Sequence, residues 1–182
     1  MNEKLEKKTE ESINKILEEG LTTNNLDHLY KLTKINKIAK EEDNMYGAIL
    51  GDIIGSPYEF DMGDQTKNFP LFCEDSVFTD DTVMTLAVAD AFCGEPHVGS
   101  PDGLREADVA RLRGRLVESM QRLGRAYPDR GYGARFVYWL WAEDPQPYGS
   151  YGNGSAMRVS PVAWLYDDLE TVRFMARLSA EV

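Results

Sequence analysis

The chain has 182 residues, 42% of them hydrophobic and 28% charged, with a formal net charge of -11. That length holds one well-buried domain with a small appendage rather than two full-sized domains, and the apolar content excludes wholesale disorder. No apolar run approaches the roughly 18 residues needed to span a bilayer, and the first residues, MNEKLEKKTEES, lack the apolar core of a secretion signal, so the expected location is the cytoplasm, with no membrane contact.

The charge is unevenly placed. Residues 1–44 carry 8 Lys against 10 acids, residues 45–95 carry only Lys67 against 10 acids, and residues 96–182 carry 11 Arg against 11 acids. The acidic middle repels phosphate backbones, so direct nucleic-acid binding is not expected, whereas a divalent cation or a basic protein partner suits it. Every base in residues 1–44 is Lys, and after Lys67 every base is Arg. The text changes at the same place from Lys, Glu and Asn to Gly, Ala and aromatics. The expected division is a Lys/Glu-rich helical appendage over residues 1–44 and a second unit over residues 45–182.

In chain order, Leu5, Ile13, Ile16 and Leu17 mark one helix ending at Gly20, and Leu26, Leu29, Tyr30 and Ile38 mark another behind Thr22 to Asn24. The two form an expected hairpin. Gly47, Gly51 and Gly55 then fall on one stripe of a helix, where either another helix or a ligand approaches the backbone closely. Glu59 follows the Ser56-Pro57 break on a loop, a place for a mobile acid, base or metal-linked carboxylate. Cys73 and Cys93 lack CxxC spacing, so buried, reduced thiols are expected rather than a disulfide framework or zinc site.

Met84, Ala87, Val88 and Ala91 have helical spacing, starting after Thr79 and stopping before Gly94. At the mouth of that helix Thr79, Asp80 and Asp81 read in two ways. A cap with acids favoured by the macrodipole is one. The other is part of an oxygen shell for Mg²⁺ or Mn²⁺, because a cap needs one oxygen and a hard cation needs several. Val109, Leu112, Leu116 and Leu123 line a further helix expected to end at Gly124. In Arg130-Gly131-Tyr132-Gly133, Tyr132 either stacks on a base or packs. Gly152, Asn153, Gly154 and Ser155 open another helix, as a cradle for an anion such as a pyrophosphate or as a plain turn. From Ala156 to Ala180 the text is helical, interrupted by Pro161, which must kink or restart it. Period-2 alternation is absent, so the expected class is all-α.

Taken together and in this order, GAILGDIIGSPYE, FTDDTVMTLAVADA, the RGYG segment and SYGNGSAMRVSPVAW resemble the bacterial ADP-ribosylglycohydrolase family, which includes the dinitrogenase-reductase-activating enzymes. The resemblance covers residues 45–182. It implies an all-α fold with a binuclear magnesium or manganese centre that cleaves ADP-ribose from an acceptor. Thr79, Asp80 and Asp81 are then metal ligands, Glu59 is the flexible acid beside the scissile ribose, and Gly152 to Ser155 belong to the phosphate cradle. Family members also carry a His-containing segment and an Asp-x-Asp-Thr/Ser motif that supply further ligands. This sequence has neither, and its only histidines are His28 and His97. Weak metal binding, little or no turnover and exposed apolar surface are therefore expected of the chain alone. The rival expectation is a non-catalytic acidic protein-binding module or inhibitor, such as a phage-type anti-defence (anti-CRISPR-like) protein.

Overall fold

The computed structural model describes residues 44–60, 68–93 and 101–182. The hairpin expected over residues 1–44 lies almost wholly outside them. Among the described residues regular structure is helical: α1 Asn44–Gly55, α2 Asp80–Phe92, α3 Glu106–Ala126, α4 Ala134–Trp141, α5 Gly154–Met157, α6 Ser160–Leu165 and α7 Leu169–Ala180, with 3-10 turns at Ser56–Tyr58 and Pro101–Gly103. The all-α expectation holds. No described helix is long and apolar enough to cross a membrane.

Helix α2 is the centre. Its apolar residues do not form one stripe: Thr82 through Ala89 are buried without interruption, as are Ala91 and Phe92. A helix apolar all round belongs inside a protein, and α2 touches α1, α3, α5 and α6. Its small residues let those neighbours come close. On one side Met84 and Leu86 join Ile49 and Ile53 of α1, Met120 and Leu123 of α3, and Leu140 of α4. On the other Val88 and Phe92 join Leu112, Leu116, Val162, Met175 and Leu178. Burying each such side chain stabilises the fold by about 1.5–3 kcal/mol before chain entropy is set against it. α2 and α3 are also joined by charge, since Asp90 Oδ2 accepts from Ser119 Oγ at 2.7 Å and from Arg122 at 2.6 Å.

Several expectations change on contact with the structure. α3 does not end at Gly124 but runs on to Ala126. Gly124 is buried, and a Cβ there would lie 2.5 Å from Leu140 Cδ2, so this glycine admits a neighbouring helix instead of ending its own. The helix stops at Tyr127, immediately ahead of Pro128. The sequence pattern does not announce α4, because ARFVYWLW is only eight residues long and has no side-chain cap. In the structure Trp139 and Leu140 are buried, whereas Tyr138 and Trp141 are exposed. Pro161 restarts the chain as α6, and a second break follows. There Asp168 caps α7, accepting from Thr171 N and Thr171 Oγ1, each at 2.8 Å. The glycine stripe of α1 meets nothing within 4 Å at Gly47, Gly51 or Gly55 among the described residues. Neither thiol is in a disulfide, but Cys73 is exposed and Cys93 only partly buried, since Cys73 begins the tight turn that Ser76 N closes onto its carbonyl.

Candidate functional site: oxygen donors at the mouth of the central helix

Thr79 is the N-cap of α2, with extended backbone and its hydroxyl accepting from Asp81 N at 3.3 Å. The capping reading is thus present in full, yet the cap is itself held. Asp52 of α1 accepts from Thr79 Oγ1 at 2.6 Å through Oδ1 and from Thr79 N at 2.8 Å through Oδ2. The same Oδ2 accepts from Thr82 N at 3.2 Å and Thr82 Oγ1 at 2.5 Å. Helical periodicity explains how Asp52 gets there. Its neighbour Ile53 is buried in the core, which fixes the rotation of α1 and leaves Asp52 half-buried at the rim beside the start of α2.

A second strap arrives from the segment after α3. Asp80 N donates to the Arg130 carbonyl at 2.7 Å, and the Arg130 guanidinium lies 3.8 Å from the centre of the Phe78 ring while reaching the Phe78 carbonyl at 3.4 Å. Gly131 takes φ +92°, and the space its missing side chain leaves is 3.5 Å from Asp80 Oδ1. Tyr132 is buried, its ring tilted against Phe136 at 5.7 Å between centroids. Its hydroxyl has no hydrogen-bond partner among the described residues. Burial, and after it the charge of Asp80, pushes that phenol upward.

The electrostatics draw these groups together. Burial first, then the neighbouring Asp81 and the charges of Glu59 and Asp52, push Asp80 up to about 6. Asp81 is raised by burial and then by Asp52 and Glu59. Glu59 is exposed just beyond the 3-10 turn, near enough for its charge to be felt at both aspartates. Like charges gathered on partly desolvated carboxylates disfavour ionisation unless a cation offsets them. Among the described residues, however, no group of three or more His, Cys, Asp or Glu side chains is arranged to hold a metal ion.

The glycine-rich turn docks elsewhere on α2. The Asn153 carbonyl accepts from Ala156 N at 2.8 Å and Met157 N at 3.1 Å, and Gly152 N donates to Ser150 Oγ at 3.1 Å. Gly152, Asn153 and Ser155 are exposed, Gly154 half-buried. Thr85 Oγ1 holds the end of α5 through the Met157 carbonyl at 3.3 Å. Behind the turn Arg158 is buried, donates to the Ser179 carbonyl at 2.7 Å, and is pushed down to about 10, chiefly by that burial. An open groove of about 300 Å³, lined by none of these residues, lies between α4 and the segment around Pro145 to Tyr148.

The structure therefore sets Thr79, Asp80 and Asp81 at one helix mouth within electrostatic reach of Glu59, buries Tyr132 within electrostatic reach of Asp80, and seats Gly152 to Ser155 at the start of α5, whose far end docks on Thr85 of the same helix. Sequence reading missed Asp52 and Arg158. Both stood inside quoted motifs, but a single acid after a glycine and a single Arg after a small-residue turn carry no spacing that announces a partner 27 or 21 residues away.

Comparison with known proteins gives the following. The model of the family described as ADP-ribosylglycohydrolase matches residues 39–182. The chain is similar to ADP-ribosylhydrolase ARH3 of Mus musculus, at 29% identity over 165 residues, covering 75% of this chain and 41% of that protein. It is likewise similar to the Homo sapiens protein of that name, at 29% over 165 residues with 75% and 42% covered, and to the Bos taurus one, at 33% over 171 residues with 75% and 42% covered. The chain thus spans about two fifths of the length of these relatives. No solved structure gives a significant match.

Proposed function

The chain belongs to the ADP-ribosylglycohydrolase family, and from that premise we propose that it takes part in hydrolytic removal of ADP-ribose from a modified acceptor, using Thr79, Asp80 and Asp81 to hold Mg²⁺ or Mn²⁺. The observation that carries this reading is the partly buried pair Asp80 and Asp81 in the first turn of a buried helix, where burial raises both carboxyls. Carboxylates so placed gain most from a hard cation, and an all-oxygen donor set suits Mg²⁺ or Mn²⁺. When bound, the ion supplies Lewis-acid polarisation of ribose or water oxygens. Glu59, exposed on its loop, accepts or returns the proton. Gly152, Asn153, Gly154 and Ser155 receive the diphosphate, whereas Tyr132, buried with its ring packed on Phe136, supports the site from behind.

These oxygens form one face of a coordination shell. Alone, the 182-residue chain is accordingly expected to bind Mn²⁺ weakly and to turn over little, because productive geometry lost by even about 1 Å costs on the order of a hundredfold in rate. The test has two arms. Calorimetry with Mn²⁺ should give a weak signal that Asp80→Ala abolishes, and tight binding indifferent to Asp80→Ala would sink the ligand assignment. Release of ADP-ribose from a modified protein, with Mg²⁺ or Mn²⁺ and with EDTA, measures activity directly. The second reading, a silent acidic module that binds a protein, draws on the absence of a three-acid metal group among the described residues. Metal-independent, saturable binding of a basic protein with no ADP-ribose release at any chain concentration would favour it.

A further inference from the structure

Asp52 stands beside the proposed ligands without being one of them. Four donors converge on its carboxylate: Thr79 N, Thr79 Oγ1, Thr82 N and Thr82 Oγ1, at 2.8, 2.6, 3.2 and 2.5 Å. A carboxylate offers about four lone-pair sites, so little of this one is left for a cation. The division between its oxygens matters more. Oδ2 faces two backbone N–H groups, which can only donate, together with the Thr82 hydroxyl. Oδ1 faces the Thr79 hydroxyl alone.

A threonine hydroxyl has one proton and two lone pairs. At Thr79 the proton is committed to Asp52 Oδ1 at 2.6 Å, and one lone pair accepts from Asp81 N at 3.3 Å, long for an N–H···O bond. What remains is an oxygen that can only accept, turned toward the first residues of α2. Because Asp52 also grips the Thr79 backbone N–H, the side-chain torsion and the backbone of this residue are fixed by one group.

We propose that Asp52 is a positioning residue that accepts the hydrogen bond of the Thr79 hydroxyl and so presents the Thr79 oxygen as an acceptor to a divalent cation at the Asp80 and Asp81 side. The inference rests on the metal reading above for its ligand, but not for its hydrogen-bond geometry. Outer groups that orient a ligand commonly change metal affinity by about 10- to 100-fold when replaced.

Asp52→Asn is the discriminating variant. The new amide must put its oxygen at the Oδ2 position, since two backbone donors there cannot reverse, and its NH₂ therefore meets the Thr79 hydroxyl. That hydroxyl changes from donor to acceptor and its free lone pair is spent. Thr82→Val is the control, because it removes one hydrogen bond to Asp52 and loosens the tie between α1 and α2 without touching Thr79. In Mn²⁺ calorimetry on the full chain, Asp52→Asn should weaken binding by at least about tenfold, while Thr82→Val stays within about twofold of the parent. Equal losses in the two variants, or no loss in Asp52→Asn, would overturn the proposal. Proton NMR of the metal-free chain gives a second readout: a slowly exchanging Thr79 hydroxyl proton present in the parent and in Thr82→Val and absent in Asp52→Asn. If the parent binds no Mn²⁺, the metal reading falls, and the hydroxyl signal alone decides whether Asp52 holds Thr79. Absence of that signal from the parent overturns the Asp52 proposal whatever the calorimetry shows.

Discussion

Asp80 gives the residue scale its sharpest consequence. Its carboxyl is held at about 6 against an ordinary 3.8, so the folded chain binds that proton more tightly than the unfolded chain does. The sign follows from linkage: stability from this group is fully present below about pH 4 and is lost as pH rises through about 6. Asp80 is only half-buried, so solvent screening limits the loss to on the order of 1 kcal/mol. Metal-free melts at pH 4.5 and 7.5 should show it, and Asp80→Asn should remove this part of the decline and raise stability at the higher pH. Mn²⁺ competes with the same proton, and its apparent affinity should fall as pH drops through about 6. Gly131 offers a separate test. Its φ of +92° is hard for any residue with a Cβ, so Gly131→Ala should cost about 1–2 kcal/mol in urea unfolding, and it should also disturb Asp80, whose N–H is tied to the preceding carbonyl. The residues at the helix mouth were legible because Thr-Asp-Asp before a helical run is a local pattern. The partner that holds them, Asp52, was not, because a hydrogen bond between residues 27 apart in sequence leaves no periodic trace.

Elements were read well where the helical run is long and bounded, and badly where it is short and uncapped. The spacing of Leu112, Leu116 and Leu123 located α3 because its opposite face is polar, whereas ARFVYWLW concealed α4, half of whose aromatics end up exposed. Pro161 and Asp168 divide the last helical stretch. The first was legible as a chain without an N–H, the second only once its bond to Thr171 is seen. The end of α3 shows the ambiguity of glycine, which stops helices and also admits neighbours. Gly124→Ala would place a methyl 2.5 Å from Leu140 Cδ2, and because Leu140 is itself buried the two helices must separate or Leu140 must leave its rotamer. The expected cost is about 1–3 kcal/mol. Leu140→Ala should cost about 2–5 kcal/mol alone as a cavity, but less than that in the Gly124→Ala background. A double-mutant cycle by urea denaturation measures the coupling, and strict additivity would show that the contact is not the reason for the glycine.

At the scale of the whole molecule, large apolar side chains stand in solvent on several sides: Phe60 at 84% exposure, Tyr138 at 80%, Trp141 at 60% and Leu169 at 60%. Isolated exposed apolar residues are ordinary, but Tyr138 and Trp141 belong to one helix, and Tyr138 lines the open groove. The folded chain should therefore bind a hydrophobic dye such as ANS, and Trp141→Ser with Tyr138→Ser should reduce that fluorescence by about half while leaving the melting temperature within a few degrees. The strap across the helix mouth has a different kind of consequence. The Arg130 side chain meets the Phe78 carbonyl across 52 residues of sequence, and the Thr85 hydroxyl meets Met157 across 72. Closing such long loops is slow, and distant contacts are won late. During synthesis, a ribosome that has just released α2 has made every oxygen of the helix mouth and its Asp52 tie, but not the Arg130 strap that holds Asp80. The amide proton of Asp80 should accordingly become protected only after those of α3, so the part of the molecule with the most chemistry is among the last to take its native shape.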